Sequence, residues 1–147
     1  MKNSKAFTLI ELLVVMAGII LLASIIIVGL AAARDKAKDA TITGMLSQVR
    51  DEAQMIWVES RAFNDPSNSL CAGNILNSGN TNHPMLAEIA DRIMKYNGGT
   101  QATCYAETND YCVSSPLNLL AGFCVDSNGQ ATSVKITCDG DPVPACE

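Results

Sequence analysis

One carboxylate stands where a carboxylate is costly. Glu11 is the only ionisable side chain between Phe7 and Ala33, and no charge occurs from Leu12 to Ala33. At about 1.5 Å of rise per residue, residues 12–33 make ~33 Å of helix, enough to cross a hydrocarbon core about 30 Å thick. Glu11 therefore sits one turn inside the start of a membrane-length helix. A charge at the centre of such a helix costs on the order of 2.5–3.5 kcal/mol, and less near the interface. An acid in that position requires a partner.

The other chemistry-bearing residues lie beyond this segment. Cys71, Cys104, Cys112, Cys124, Cys138 and Cys146 form an even set with none in the apolar run, which predicts disulfides and an oxidising compartment. Zinc binding would need short Cys-x-x-Cys pairs, and the sequence has none. His83 is the single histidine; with no nucleophile or companion ligand near it in sequence, it reads as a loop histidine at a helix start. Asp126, Asn128, Asp139 and Asp141 are candidate calcium ligands, but Gln130 and Ala131 stand where an EF-hand loop wants its third ligand and its glycine. They read as ordinary turn residues, and no metal or cofactor is expected. No nucleophile elbow, phosphate loop or His-Glu-x-x-His occurs, so the expectation is a non-enzyme.

The ordered run Lys5-Ala6-Phe7-Thr8-Leu9-Ile10-Glu11-Leu12-Leu13-Val14-Val15 resembles the class III signal of type IV pilins and of type II secretion pseudopilins. The resemblance implies cleavage between Ala6 and Phe7 by a prepilin peptidase, methylation of the new Phe7 amine, and a role for Glu11 in filament assembly. It covers about the first 35 residues. Ala6 departs from the glycine usual before the cut, and the apolar run lacks the proline that many pilins carry; Gly18, Ser24 and Gly29 are its remaining soft points. The implied partners are further copies of the chain in a helical filament, the peptidase and methyltransferase, a pilus assembly platform and the membrane. The implied location is the inner membrane, single-pass with the head outside the cytoplasm, then a surface or periplasmic filament.

Charge narrows this reading. The full chain has a formal charge of -5, and loss of Lys2 and Lys5 with a leader makes the mature chain two charges more negative. Beyond Lys38 there are 13 acidic and 5 basic residues, a balance that disfavours nucleic acid as a partner. Arg34, Lys36 and Lys38 after the span favour the opposite topology by the positive-inside count; the cysteines and the leader motif overrule it. The competing reading is a small disulfide-bonded binding domain, anchored or secreted. Ala31-Ala32-Ala33 fits a signal-peptidase site, but the apolar region far exceeds the usual h-region of about 7–15 residues. Within the resemblance, the six cysteines lean towards a surface filament over a secretion pseudopilus.

These residues have to be positioned by a few elements. The expected fold is α+β and pilin-like: a leader over 1–6, a membrane and assembly helix over 7–33, and a disulfide-stapled head over 34–147 that includes the rest of the helix. Ile42, Met45, Leu46, Val49, Ala53, Ile56 and Trp57 recur at spacings of three and four, which extends one helix from about 8 to 62. Asn64-Asp65-Pro66-Ser67-Asn68 ends it, and residues 64–82 read as loop. A second helix is capped by Asn82, carries Pro84 in its first turn, sets Leu86, Ile89, Ala90, Ile93 and Met94 on one face, and stops at Asn97-Gly98-Gly99. Strands are expected near 102–107, 111–116, 120–126 and 131–138 as an antiparallel meander. The resemblance further implies a Cys138–Cys146 bridge closing a C-terminal loop.

Overall fold

A computed structural model describes residues 7–129, 131–132, 138–139 and 145–146. The chain divides between Asp35 and Lys36 into two units. Helix α1 spans Leu9–Ser60 and runs through Gly18, Ser24 and Gly29 without a break. In its first part large apolar side chains, from Leu9 to Ile27, are exposed all round. Among the described residues α1 is the one helix long and apolar enough to cross a membrane.

From Lys36 onward α1 becomes the spine of the head. Ile42, Met45, Leu46, Val49, Ala53 and Ile56 are buried, all on the stripe that 3.6-residue periodicity puts on one face. The helix stops at Ser60, two residues earlier than its periodicity suggests. There the Ser60 hydroxyl donates to the carbonyls of Ile56 and Ala62, and Arg61 takes a left-handed φ of 59° that no helix can continue. Phe63 then folds back between Trp57 and Tyr111, with ring centroids 5.2 and 4.8 Å apart, closing one end of the core.

Helix α2 spans Pro84–Tyr96 and buries Leu86, Ile89, Ala90 and Ile93. Its end is a Schellman turn: the Gly99 N–H reaches the Met94 carbonyl at 2.8 Å, and Gly98 has a φ of 64°. Its start corrects the expected cap. Asn82 does not cap the helix; its side chain donates to the Ser67 carbonyl, and His83 precedes Pro84.

The sheet is a six-stranded antiparallel meander, β1 (Cys71–Ala72), β2 (Ile75–Leu76), β3 (Thr103–Ala106), β4 (Tyr111–Ser115), β5 (Phe123–Asp126) and β6 (Ala131–Thr132), with neighbours in chain order. Four of these fall where the strand pattern places them. The short β1–β2 pair lies inside the stretch read as loop; two-residue strands between Asn and Gly residues carry too little alternation to be seen. β4 is buried along its whole length and is the centre of the sheet. A second sheet pairs β7 (Cys138–Asp139) with β8 (Ala145–Cys146).

Three disulfides staple the head: Cys71–Cys104, Cys112–Cys138 and Cys124–Cys146. The first ties β1 to β3. The other two tie β7 and β8 to β4 and β5. This overturns the Cys138–Cys146 bridge that the resemblance implies. Those residues do face one another across the β7–β8 ladder, but each sulfur bonds to the main sheet, which clamps the hairpin down instead of closing it on itself. Each bridge closes a span of 22 to 33 residues, and constraints of that length contribute typically 2–4 kcal/mol.

Candidate assembly site

The beginning of α1 solves the problem that Glu11 poses. Thr8, the residue before the first helical one, donates its backbone N–H to Glu11 Oε2 at 3.0 Å and its hydroxyl to the same oxygen at 2.8 Å. The Glu11 N–H approaches the Thr8 hydroxyl oxygen at 3.4 Å in return. This is a capping box, in which helix N-terminal N–H groups and the carboxylate satisfy each other. Glu11 also places its negative charge at the positive end of the helix dipole. The Thr-x-x-Glu spacing was the signal for it in the sequence, and the reading of Glu11 as an acid awaiting a partner passed over it.

Around this box the helix has no cover. Phe7 is 79% exposed, and Leu9, Ile10, Leu12 and Leu13 are more than half exposed. Such a surface is not left in water. Of the expected cut site, Phe7 is described; Ala6 and the residues before it lie outside the described residues.

Where α1 enters the head, Asp39 is the second structured acid. Its carboxylate accepts from the Asn118 N–H at 2.7 Å, the Asn118 side-chain amide at 2.8 Å and the Leu119 N–H at 2.8 Å. Burial pushes the Asp39 carboxyl up and is the largest single influence, but the Asn118 and Leu119 hydrogen bonds, with Lys38 alongside, together outweigh it and hold the carboxyl below its ordinary value. The effect is to pin the loop after β4 to α1.

His83 is not the companionless loop residue of the sequence reading. It is buried, with Nδ1 3.1 Å from Glu52 Oε2 and Nε2 3.2 Å from Glu59 Oε2, so both ring nitrogens face carboxylates of α1. Asn68 joins Glu59 at 3.0 Å, and Asn80 joins Asn68 and orders the turn by accepting from the N–H groups of Asn82 and His83. The network sews the loop between β2 and α2 to the helix. Glu52 and Glu59 sit seven apart on one helix face, but nothing in the sequence directs His83 to them.

The calcium candidates are dispersed in role. Asp126 is buried and accepts the Cys146 N–H at 3.1 Å, while Asn128 is exposed at a turn. Asp139 lies in β7, and Asp141 falls outside the described residues. The sulfurs of Cys112, Cys124 and Cys146 converge, but all three are in disulfides and carry no thiolate for a metal.

Comparison with known proteins bears on the same segment. The first 17 residues match the prokaryotic N-terminal methylation motif. The chain is 40% identical over 63 residues to the type IV wide pilus major component PilA4 of Thermus thermophilus, covering 43% of this chain and 48% of that protein. The chain thus spans about half the length of the curated relative it matches. No solved structure matches it.

Proposed function

The chain is type IV pilin-like in its methylation motif and in its long-helix, disulfide-stapled architecture, and from that premise we propose that it is a structural subunit of a type IV pilus-like filament. The observation that carries the proposal is the uncovered apolar part of α1, headed by a Glu11 carboxylate already held by Thr8.

The sequence of events is as follows. A prepilin peptidase removes residues 1–6, and the new Phe7 amine is methylated. The subunit waits in the membrane with α1 spanning it and the head on the oxidising side, where the disulfides form. On assembly the apolar helices of many subunits pack together and replace lipid. Glu11 then meets the Phe7 amine of a neighbour in a water-poor setting, where removing one partner of an ion pair costs about 3–5 kcal/mol. Because the acid is a single charge in a charge-free run, the pairing also sets the axial register. The capping box keeps Glu11 satisfied until that partner arrives. Three disulfides and a clamped C-terminal hairpin suit a filament exposed outside the cell, which favours a surface pilus over a secretion pseudopilus.

Mass spectrometry of the mature N-terminus from a sheared cell-surface fraction tests the proposal. The expected chain begins with methylated Phe7. A chain beginning at Arg34, or still carrying Met1, overturns it in favour of a secreted or anchored binding domain.

A further inference from the structure

The head carries two exposed apolar features at different levels of α1. One is a groove of about 460 Å³ lined by Lys36, Ala40, Thr43, Leu119 and Leu120, with both leucines more than half exposed. The three hydrogen bonds to Asp39 anchor the backbone that presents these leucines to α1. The other is a ridge at the C-terminal end of α1. Val58, 69% exposed, borders two hollows of about 420 and 400 Å³, one lined by Asp51, Met55 and Glu59 and the other by Trp57 and Phe63. Helical rise sets ridge and ledge about 22 Å apart along α1.

Their charges are opposite. Among the residues that line the two hollows, the charged ones are the acids Asp51 and Glu59. Of the two charged residues that line the groove, Asp39 is buried and bonded to Asn118 and Leu119, and Lys36 is exposed. A symmetric contact of ridge on ridge would set acid against acid. Two complementary patches at different levels of one molecule instead make a heterologous contact that repeats from copy to copy.

The geometry points to a second copy of this chain as the occupant: the Met55–Val58 ridge of one head seats on the Leu119–Leu120 ledge of the next, with Lys36 facing Asp51. This rests on the filament reading and gives it a specific contact between heads. Apolar area supplies the attraction, and the exposed charge pair supplies orientation more than strength.

The test places the photo-crosslinker p-benzoylphenylalanine at Leu120 of the full chain and irradiates sheared filaments. Trypsin cleaves after Arg50 and Arg61, so residues 51–61 emerge as one peptide. A cross-link from Leu120 to that peptide of another copy is expected. Cross-links to lipid, or to other segments of a second copy, overturn the contact. Independently, Lys36→Glu should lower filament yield and Lys36→Glu with Asp51→Lys should restore it, every variant still beginning at Phe7. Wild-type yield from Lys36→Glu, or no recovery in the double variant, counts against the charge pairing. If the wild type itself yields no filaments, the filament reading fails; filaments without the 51–61 cross-link sink only this contact.

Discussion

Thr8 and Glu11 are bound to one another at the head of α1, with the threonine N–H and hydroxyl both directed at one carboxylate oxygen. The acid of the proposed assembly site is therefore internally satisfied in the single chain. In the proposed filament it would enter an intersubunit pair by exchanging or sharing partners, without passing through a bare charge in lipid.

Glu11→Gln keeps the shape of the helix start and removes the charge. The variant should be membrane-inserted and begin at Phe7, yet yield no sheared filaments; normal filaments from it would remove the ion pair from the mechanism. Thr8→Ala should weaken the first turn by about 0.5–2 kcal/mol. Hydrogen exchange in detergent micelles would show this as faster exchange of the first-turn amides, with Thr8→Ser close to the wild type.

Asp39 couples the head to acidity. Its carboxyl is held below the ordinary aspartate value, so its contribution is complete above about pH 4 and is lost as the pH falls through the folded-state value. Asp39→Asn should cost about 1.5–3 kcal/mol at neutral pH, the range for hydrogen bonds to a charged group. Urea unfolding of the full chain in detergent, followed by the fluorescence of Trp57, should show the gap between wild type and variant narrowing below pH 4. A gap that widens in acid contradicts the assignment.

His83→Ala leaves the buried Glu52 carboxyl without its hydrogen-bond partner, a loss of about 1–3 kcal/mol. Replacing both residues by apolar ones, His83→Phe with Glu52→Leu, should recover most of that loss. Equal destabilisation by the single and the double variant would show that packing around the ring, not its hydrogen bond to Glu52, is what matters.

Digestion of the unreduced protein should release peptides joined as Cys71–Cys104, Cys112–Cys138 and Cys124–Cys146. A peptide closed by Cys138–Cys146 would reinstate the C-terminal loop. Replacing Cys112 and Cys138 together by alanine should lower head stability by about 2–4 kcal/mol.

The N-terminal part of this protein was legible residue by residue. A charge-free run of membrane length, one acid near its start and a threonine three residues before that acid are all local facts. Helix hydrogen bonds and a capping box also act within four residues, so no distant part of the chain is needed to decide them. The stripe from Ile42 to Ile56 was legible for the same reason, as were α2 and the three longer strands β3, β4 and β5.

What required the tertiary structure was every choice among distant partners. Six cysteines admit 15 pairings, and only the docking of β7–β8 onto β4 and β5 selects one of them. His83 meets Glu52 and Glu59 across 31 and 24 residues, and Asp39 meets Asn118 across 79. Neither spacing nor residue type encodes such contacts, because loop closure lets almost any pair of distant positions meet and packing alone decides which pairs do. The sequence by itself determined a charge-free helix of membrane length and how that helix begins; the fold decided which distant polar groups meet in the head and which apolar surfaces stay exposed, because only packing chooses among distant partners.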